Sequence, residues 1–274
     1  MSSINRFGLT RVIPAEIKRK VRQGCGFGCV VCGKIGMEYD HFSPEFVDCE
    51  RHDAAGIALL CSDCHTARTA GRLSPERVRD KKGKAVGRWK NATLRTYFGS
   101  GRACIGIGSS ELVGPHANFR IGELELLKIV ASNSHDEPWT LSGKFFDGAH
   151  SYLMIEDNEV SVSTGSWDVQ LEGRSLKIRR SKGCVALHLQ MTDNRIHVMR
   201  LDLKWEESWV KIDHTGQLKV SQEHGGYSGI EGISFHGFAA DLGRSVLQWN
   251  GTPADVARAI AEMGATAQGV AVAP

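Results

Sequence analysis

Cys29-Val-Val-Cys32 and Cys61-Ser-Asp-Cys64 are two Cys-x-x-Cys pairs separated by 28 residues. Tetrahedral zinc takes four ligands, with sulfur at about 2.3 Å, and two such knuckles supply them from separate turns. Asp40-His41 lies between the pairs and His65 follows Cys64 directly. A sulfur-saturated zinc needs none of these three, so they are expected to build a second, open site. A carboxylate suits magnesium or manganese, and His65 can reach the same ion from the helix that Cys64 anchors. Such a site keeps water positions that phosphate oxygens can take. Neighbouring residues on a strand face opposite sides, so Asp40 can hold an ion while His41 faces an incoming water. With an ordinary pKa of about 6.5, a neutral His41 can accept a proton at pH 7. The bland alternatives are unconnected reduced thiols and a surface Asp-His pair; the shared placement within one short segment favours metal. Cys25, Cys49, Cys104 and Cys184 have no partner at ligand spacing and read as plain thiols.

The elements that must carry these ligands follow from local signals. A basic helix is expected over 15–23, with Pro14 at its start and Gly24 as its stop. Glycines crowd the first cysteine pair, as tight turns toward sulfur require. Residues 37–42 read as a short strand leading into His41, 43–55 as a polar loop, and 57–60 as an apolar strand that delivers Cys61. A helix over about 63–70 then projects His65 from its first turn. Ser74-Pro75 opens another basic helix, with Ser as N-cap.

The glycine-rich segment 99–118 reads as a boundary or an irregular entry into a second domain, with the division near residue 100: residues 1–98, a β-rich domain over 99–264 and a flexible tail over 265–274. Beyond about residue 120, short runs alternate apolar and polar residues and are separated by turn signals at Asp157-Asn158, Glu172-Gly173, Asp193-Asn194 and Thr215-Gly216. That texture predicts an antiparallel sandwich or barrel. A parity shift near Val198 or Met199 predicts a bulge. A last helix is expected from Pro253 to Met263. The fold class is therefore α+β, a zinc-braced N-terminal domain followed by a mainly antiparallel β domain.

Bulk properties narrow the function classes. The composition is that of a globular protein, and no run is long and apolar enough for a membrane helix. The polar stretch Met1–Arg11 is unlike a secretory signal, so a cytoplasmic location with reduced thiols is expected. Residues 1–98 hold 18 Lys plus Arg against 10 Asp plus Glu, whereas the remainder is net acidic. Positive charge beside a metal site points to a phosphate backbone, with Lys18, Arg22, Arg68 and Arg72 as expected nucleic-acid contacts. In the β domain, Trp205, Trp209, Trp249 and Phe235 read as core, and the five histidines at 188, 197, 214, 224 and 236 lack metal spacing.

The run from Cys29 to Arg72, with CVVCG, YDHF and IALLCSDCHTART, resembles the HNH endonuclease family in its zinc-containing form. The preceding Arg22-x-x-Cys25-Gly26-Phe27-Gly28 is also similar to that group. The resemblance implies a ββα-metal fold, with Asp40 and His65 as metal ligands and His41 as general base. It further implies hydrolysis of a DNA phosphodiester with one divalent ion, Mg2+ or Mn2+, at the leaving oxygen. Gly56 departs from the pattern, because the family has an Asn there that orients the base. Either His41 is held by another group, with Asp53 or His52 as candidates, or the site is weakened. The competing readings are a zinc-structured nucleic-acid-binding protein without cleavage, and an interaction protein acting through its β domain. For the β domain itself, target choice, homo-oligomerisation and sensing are the roles considered.

Overall fold

The computed structural model describes residues 4–36, 38–85, 91–95, 103–114, 116–121, 124–130, 139–148, 150–192, 195–205, 208–221, 227–230, 234–236 and 244–247. The expected C-terminal helix, the tail and Trp249 lie outside them. The chain divides into two compact units, residues 1–94 with 161–173, and residues 95–160 with 174–274.

The first unit is built on helix α1 (Ala15–Gly24), strand β1 (Glu38–His41), strand β2 (Ile57–Leu60), helix α2 (Ser62–Thr69), helix α3 (Pro75–Gly83) and strand β3 (Asn91–Arg95). β1 and β2 pair antiparallel, with Asp40 opposite Ala58 and His41 opposite Ile57. All four residues of β2 are buried, because this Ile-Ala-Leu-Leu run is covered on both faces. Val21 of α1, Val30, Phe42 and Val78 of α3 join β2 in one apolar cluster. Loss of a single leucine here is expected to cost about 2–5 kcal/mol. Between the strands, the expected loop contains two single turns, Phe46–Asp48 and Ala54–Gly56. Ser74 caps α3, its hydroxyl accepting from the Arg77 amide at 3.3 Å, with Pro75 at the first helical position.

The second unit is predominantly β, a curled multi-strand sheet of mostly antiparallel hairpins with some parallel pairs. Strand Cys184–Thr192 pairs with Arg195–Trp205, and the register passes from Arg200 to Val198, leaving Met199 as a bulge. The parity shift in the sequence had that cause. Asp157 and Asn158 both take positive φ at the hairpin tip they were expected to form. Within the segment 99–118, Ala103–Ile107 and Ser110–Gly114 pair as a hairpin and His116–Ile121 pairs with Leu124–Val130. Its described residues are therefore regular strands rather than an irregular entry, and the two units divide nearby, between residues 94 and 95. Gly106 and Gly114 sit within strands and Gly108 in the tight turn between them. Trp209 carries Lys211 over its ring at 5.1 Å and is only partly buried. Among the described residues, no helix is long and apolar enough to cross a membrane.

Candidate metal centre

The first knuckle closes through its backbone. The Cys29 amide donates to the Lys34 carbonyl at 2.6 Å and the Gly33 amide to the Cys29 carbonyl at 2.9 Å. Gly33 has φ +80°, a left-handed turn that residues with a Cβ rarely adopt. On the other side, Cys61 ends β2 and occupies the N-cap position of α2. Its carbonyl accepts the first helical bond, from the His65 amide at 2.9 Å. The strand-to-helix junction therefore aims Cys61 and Cys64 at the knuckle and presents His65 one residue further on.

The sulfurs of Cys29, Cys32, Cys61 and Cys64 all lie within 4.8 Å of one another. Cys32 and Cys61 are 3.6 Å apart, and Cys32 and Cys64 4.0 Å. A tetrahedron with about 2.3 Å zinc–sulfur bonds has edges of about 3.8 Å, so the spacing fits a metal such as zinc. The electrostatics agree. A hydrogen bond from Cys32 holds the Cys29 thiol down to about 5, whereas burial and the charge of Cys29 push Cys64 up to about 12. Four sulfurs this close cannot all carry charge without a cation among them.

Two of the three residues expected at a second site lie close together. Asp40 Oδ1 and His65 Nε2 approach to 3.8 Å, a separation that a shared cation can bridge. Glu38 Oε2 lies 2.8 Å from His65 Nδ1 and so receives that N–H, which leaves the Nε2 lone pair toward Asp40. The other oxygen of Asp40, Oδ2, is buried and has no hydrogen-bond partner. Burial pushes the Asp40 carboxyl above its ordinary value, against the pull of Arg68 and His65. The two oxygens thus have different neighbours, Oδ1 the His65 ring nitrogen and Oδ2 the Arg68 guanidinium at 3.7 Å.

His41 makes its own contacts. Its Nε2 sits 3.0 Å from Nδ1 of His52, and its ring meets Phe46 edge-on at 5.5 Å. Burial, reinforced by His52 and Arg11, pushes the His41 imidazole down to about 4, so it is neutral at pH 7. Of the two groups expected to hold it, His52 does so. Asp53 is committed to its own turn, accepting from the Ala55 amide at 3.0 Å.

Gly56 has a steric reason. A Cβ there would lie 2.2 Å from the Ser43 carbonyl oxygen, and the Gly56 carbonyl accepts from the Phe42 and Ser43 amides at 3.1 and 3.3 Å. No side chain fits at that position. The turn is tied down instead by Lys82 of α3, whose ammonium donates to the Ala54 carbonyl, to Ala55 at 3.0 Å and to Ile57 at 2.5 Å.

The expected phosphate contacts divide. Arg72 is exposed and Lys18 half-buried, its ammonium 5.4 Å above the Tyr39 ring. Arg22 is corrected: it is buried, and both branches of its guanidinium bind the Asp168 carboxylate at 2.8 Å while a third contact reaches Tyr39 at 2.7 Å. Nothing of it is left for a phosphate. Arg68 is also largely enclosed, donating to Glu45 at 2.6 Å and standing 3.7 Å from Asp40 Oδ2. It belongs to the site's own electrostatics. Glu38 and Lys82 were not singled out from the sequence. Glu38 could have been, because position i−2 on a strand shares the face of Asp40.

No protein-family model, curated protein or solved structure matches this chain.

Proposed function

We propose that the first unit is a metal-dependent endonuclease of the HNH type that hydrolyses DNA phosphodiester bonds. The observation that carries this reading is the convergence of Asp40 Oδ1 and His65 Nε2 at 3.8 Å, with Asp40 Oδ2 buried and unsatisfied beside them. Cys29, Cys32, Cys61 and Cys64 would hold zinc, which would brace the strand-to-helix junction that sets this geometry. Asp40 and His65 would hold Mg2+ or Mn2+, and such an ion would supply positive charge at the leaving oxygen. His41 takes the proton of the attacking water as the new P–O bond forms. Glu38 keeps His65 in the ligating tautomer. The basic surface of residues 1–98, with Arg72 exposed, favours approach of a phosphate backbone.

One observation favours the second reading, a nucleic-acid-binding protein without cleavage. Arg68 gives Asp40 a positive neighbour at 3.7 Å without any added cation. Incubation of the zinc-loaded protein with supercoiled plasmid, with and without Mg2+ or Mn2+, separates the two. Metal-dependent nicking that His41→Ala abolishes while plasmid binding persists is the result expected of the nuclease. Binding without nicking in either metal supports the second reading.

A further inference from the structure

The second imidazole behind His41 is itself anchored. His52 Nδ1 lies 3.0 Å from His41 Nε2, and His52 Nε2 lies 3.0 Å from the main-chain carbonyl of Thr10. A carbonyl only accepts, so His52 Nε2 must carry the hydrogen. A neutral imidazole has one N–H, so His52 Nδ1 is then the acceptor and His41 Nε2 must donate to it. As long as His52 is neutral, the Thr10 carbonyl, which cannot donate, sets the direction of the whole chain.

The Thr10 carbonyl is held in place by the segment around it. Asn5 donates from its side-chain amide to the carbonyls of Phe46 and Cys49 at 2.7 and 2.6 Å, and its Oδ1 accepts from the amides of Phe7 and Leu9 at 3.0 Å. Arg6 pairs with Asp48 at 2.9 Å, and Arg11 lies over the Phe46 ring at 4.3 Å. Residues 5–11 are thus strapped to the same loop that carries His52.

We infer that His52, fixed by the Thr10 carbonyl, is a positioning residue that locks His41 as its Nε2–H tautomer and leaves Nδ1 as the atom that accepts the water's proton. This rests on the hydrolytic reading for its use in catalysis, but the tautomer is observable without any cleavage. The test uses zinc-loaded, 15N-labelled full-length protein at about pH 8.5, where ordinary imidazoles are neutral. Two-bond nitrogen–proton correlation reports which ring nitrogen of His41 carries the hydrogen, and His41→Ala identifies the signals. The expected result is a protonated Nε2 and a bare Nδ1. A hydrogen on His41 Nδ1 overturns the inference.

Substitution of the relay provides the second arm. His52→Phe should leave His41 as a mixture of tautomers and lower kcat for plasmid nicking about tenfold, with little change in KM. His52→Gln, whose amide can accept from His41 and donate to Thr10, should restore the wild-type tautomer and most of the rate. An unchanged His41 tautomer in His52→Phe contradicts the relay. If His52→Phe fails to fold, the wild-type and His52→Gln spectra still decide it. The expected tautomer with no nicking by the wild type leaves the relay standing and removes the hydrolytic reading instead.

Discussion

At the scale of single residues, the distinctive group is the Asp40 carboxylate: Oδ2 is buried without a hydrogen bond and has Arg68 Nε at 3.7 Å, while Oδ1 faces His65 Nε2 at 3.8 Å. A buried polar atom left without a hydrogen bond costs on the order of 1–3 kcal/mol, which Arg68 offsets in part and which the proposed cation would offset further. In the proposed site His65 would be the second ligand, and Glu38 occupies its other ring nitrogen. Glu38→Ala should therefore weaken Mn2+ binding about 10–100-fold while leaving the zinc content unchanged, measured by calorimetric titration and metal analysis. Equal Mn2+ affinity in the variant would show that His65 needs no such support. Cys61→Ser acts at the other centre. It should release the structural metal and with it the ordered far-ultraviolet dichroism of the first unit, and an unchanged spectrum would count against a structural zinc.

Elements matter where they hold turns and strands at fixed places. Lys82 reaches from α3 to three carbonyls around Gly56, so that helix anchors the turn preceding β2. Lys82→Met keeps the apolar stem and removes the donors; a loss of about 1–3 kcal/mol in urea unfolding is expected. α1 is held through a buried pair, Arg22 with Asp168. Breaking one partner of such a pair strands the other, so Asp168→Asn and Arg22→Met should each cost about 3–5 kcal/mol. The double variant should cost clearly less than the sum of the two. Additive losses would show that the two side chains do not support each other.

For the whole molecule, legibility in the sequence followed the range of the interaction. The cysteine knuckles, the β1–β2 order, the cap of α3 and the bulge at Met199 are set by residues close in sequence, and their patterns were readable. Glu38 was within reach of the same logic. The role of Arg22 was not, because its partner Asp168 lies 146 residues away and a basic helix looks alike whether it faces phosphate or a buried carboxylate. The glycines of 103–121 were ambiguous for a related reason: only pairing partners distant in sequence decide whether they break a chain or fit a sheet.

The second unit offers its own pH test. Lys219, then Thr215 and nearby amides, hold the Asp213 carboxyl well below the ordinary carboxylate range. A depressed acid contributes stability above its unfolded value, about 3.9, and that contribution is lost as pH falls through the folded value. Asp213→Asn should therefore lower the melting temperature modestly at pH 7 and make no difference at the acidic end. An equal effect at both ends would contradict the ion pair.

The most direct test of the account is where a second cation binds. Mn2+ added to crystals of the zinc-loaded protein should give an anomalous scattering peak between Asp40 and His65, separate from the peak among the four sulfurs and absent in Asp40→Asn. Manganese elsewhere, or a peak between those residues that survives Asp40→Asn unchanged, would contradict it.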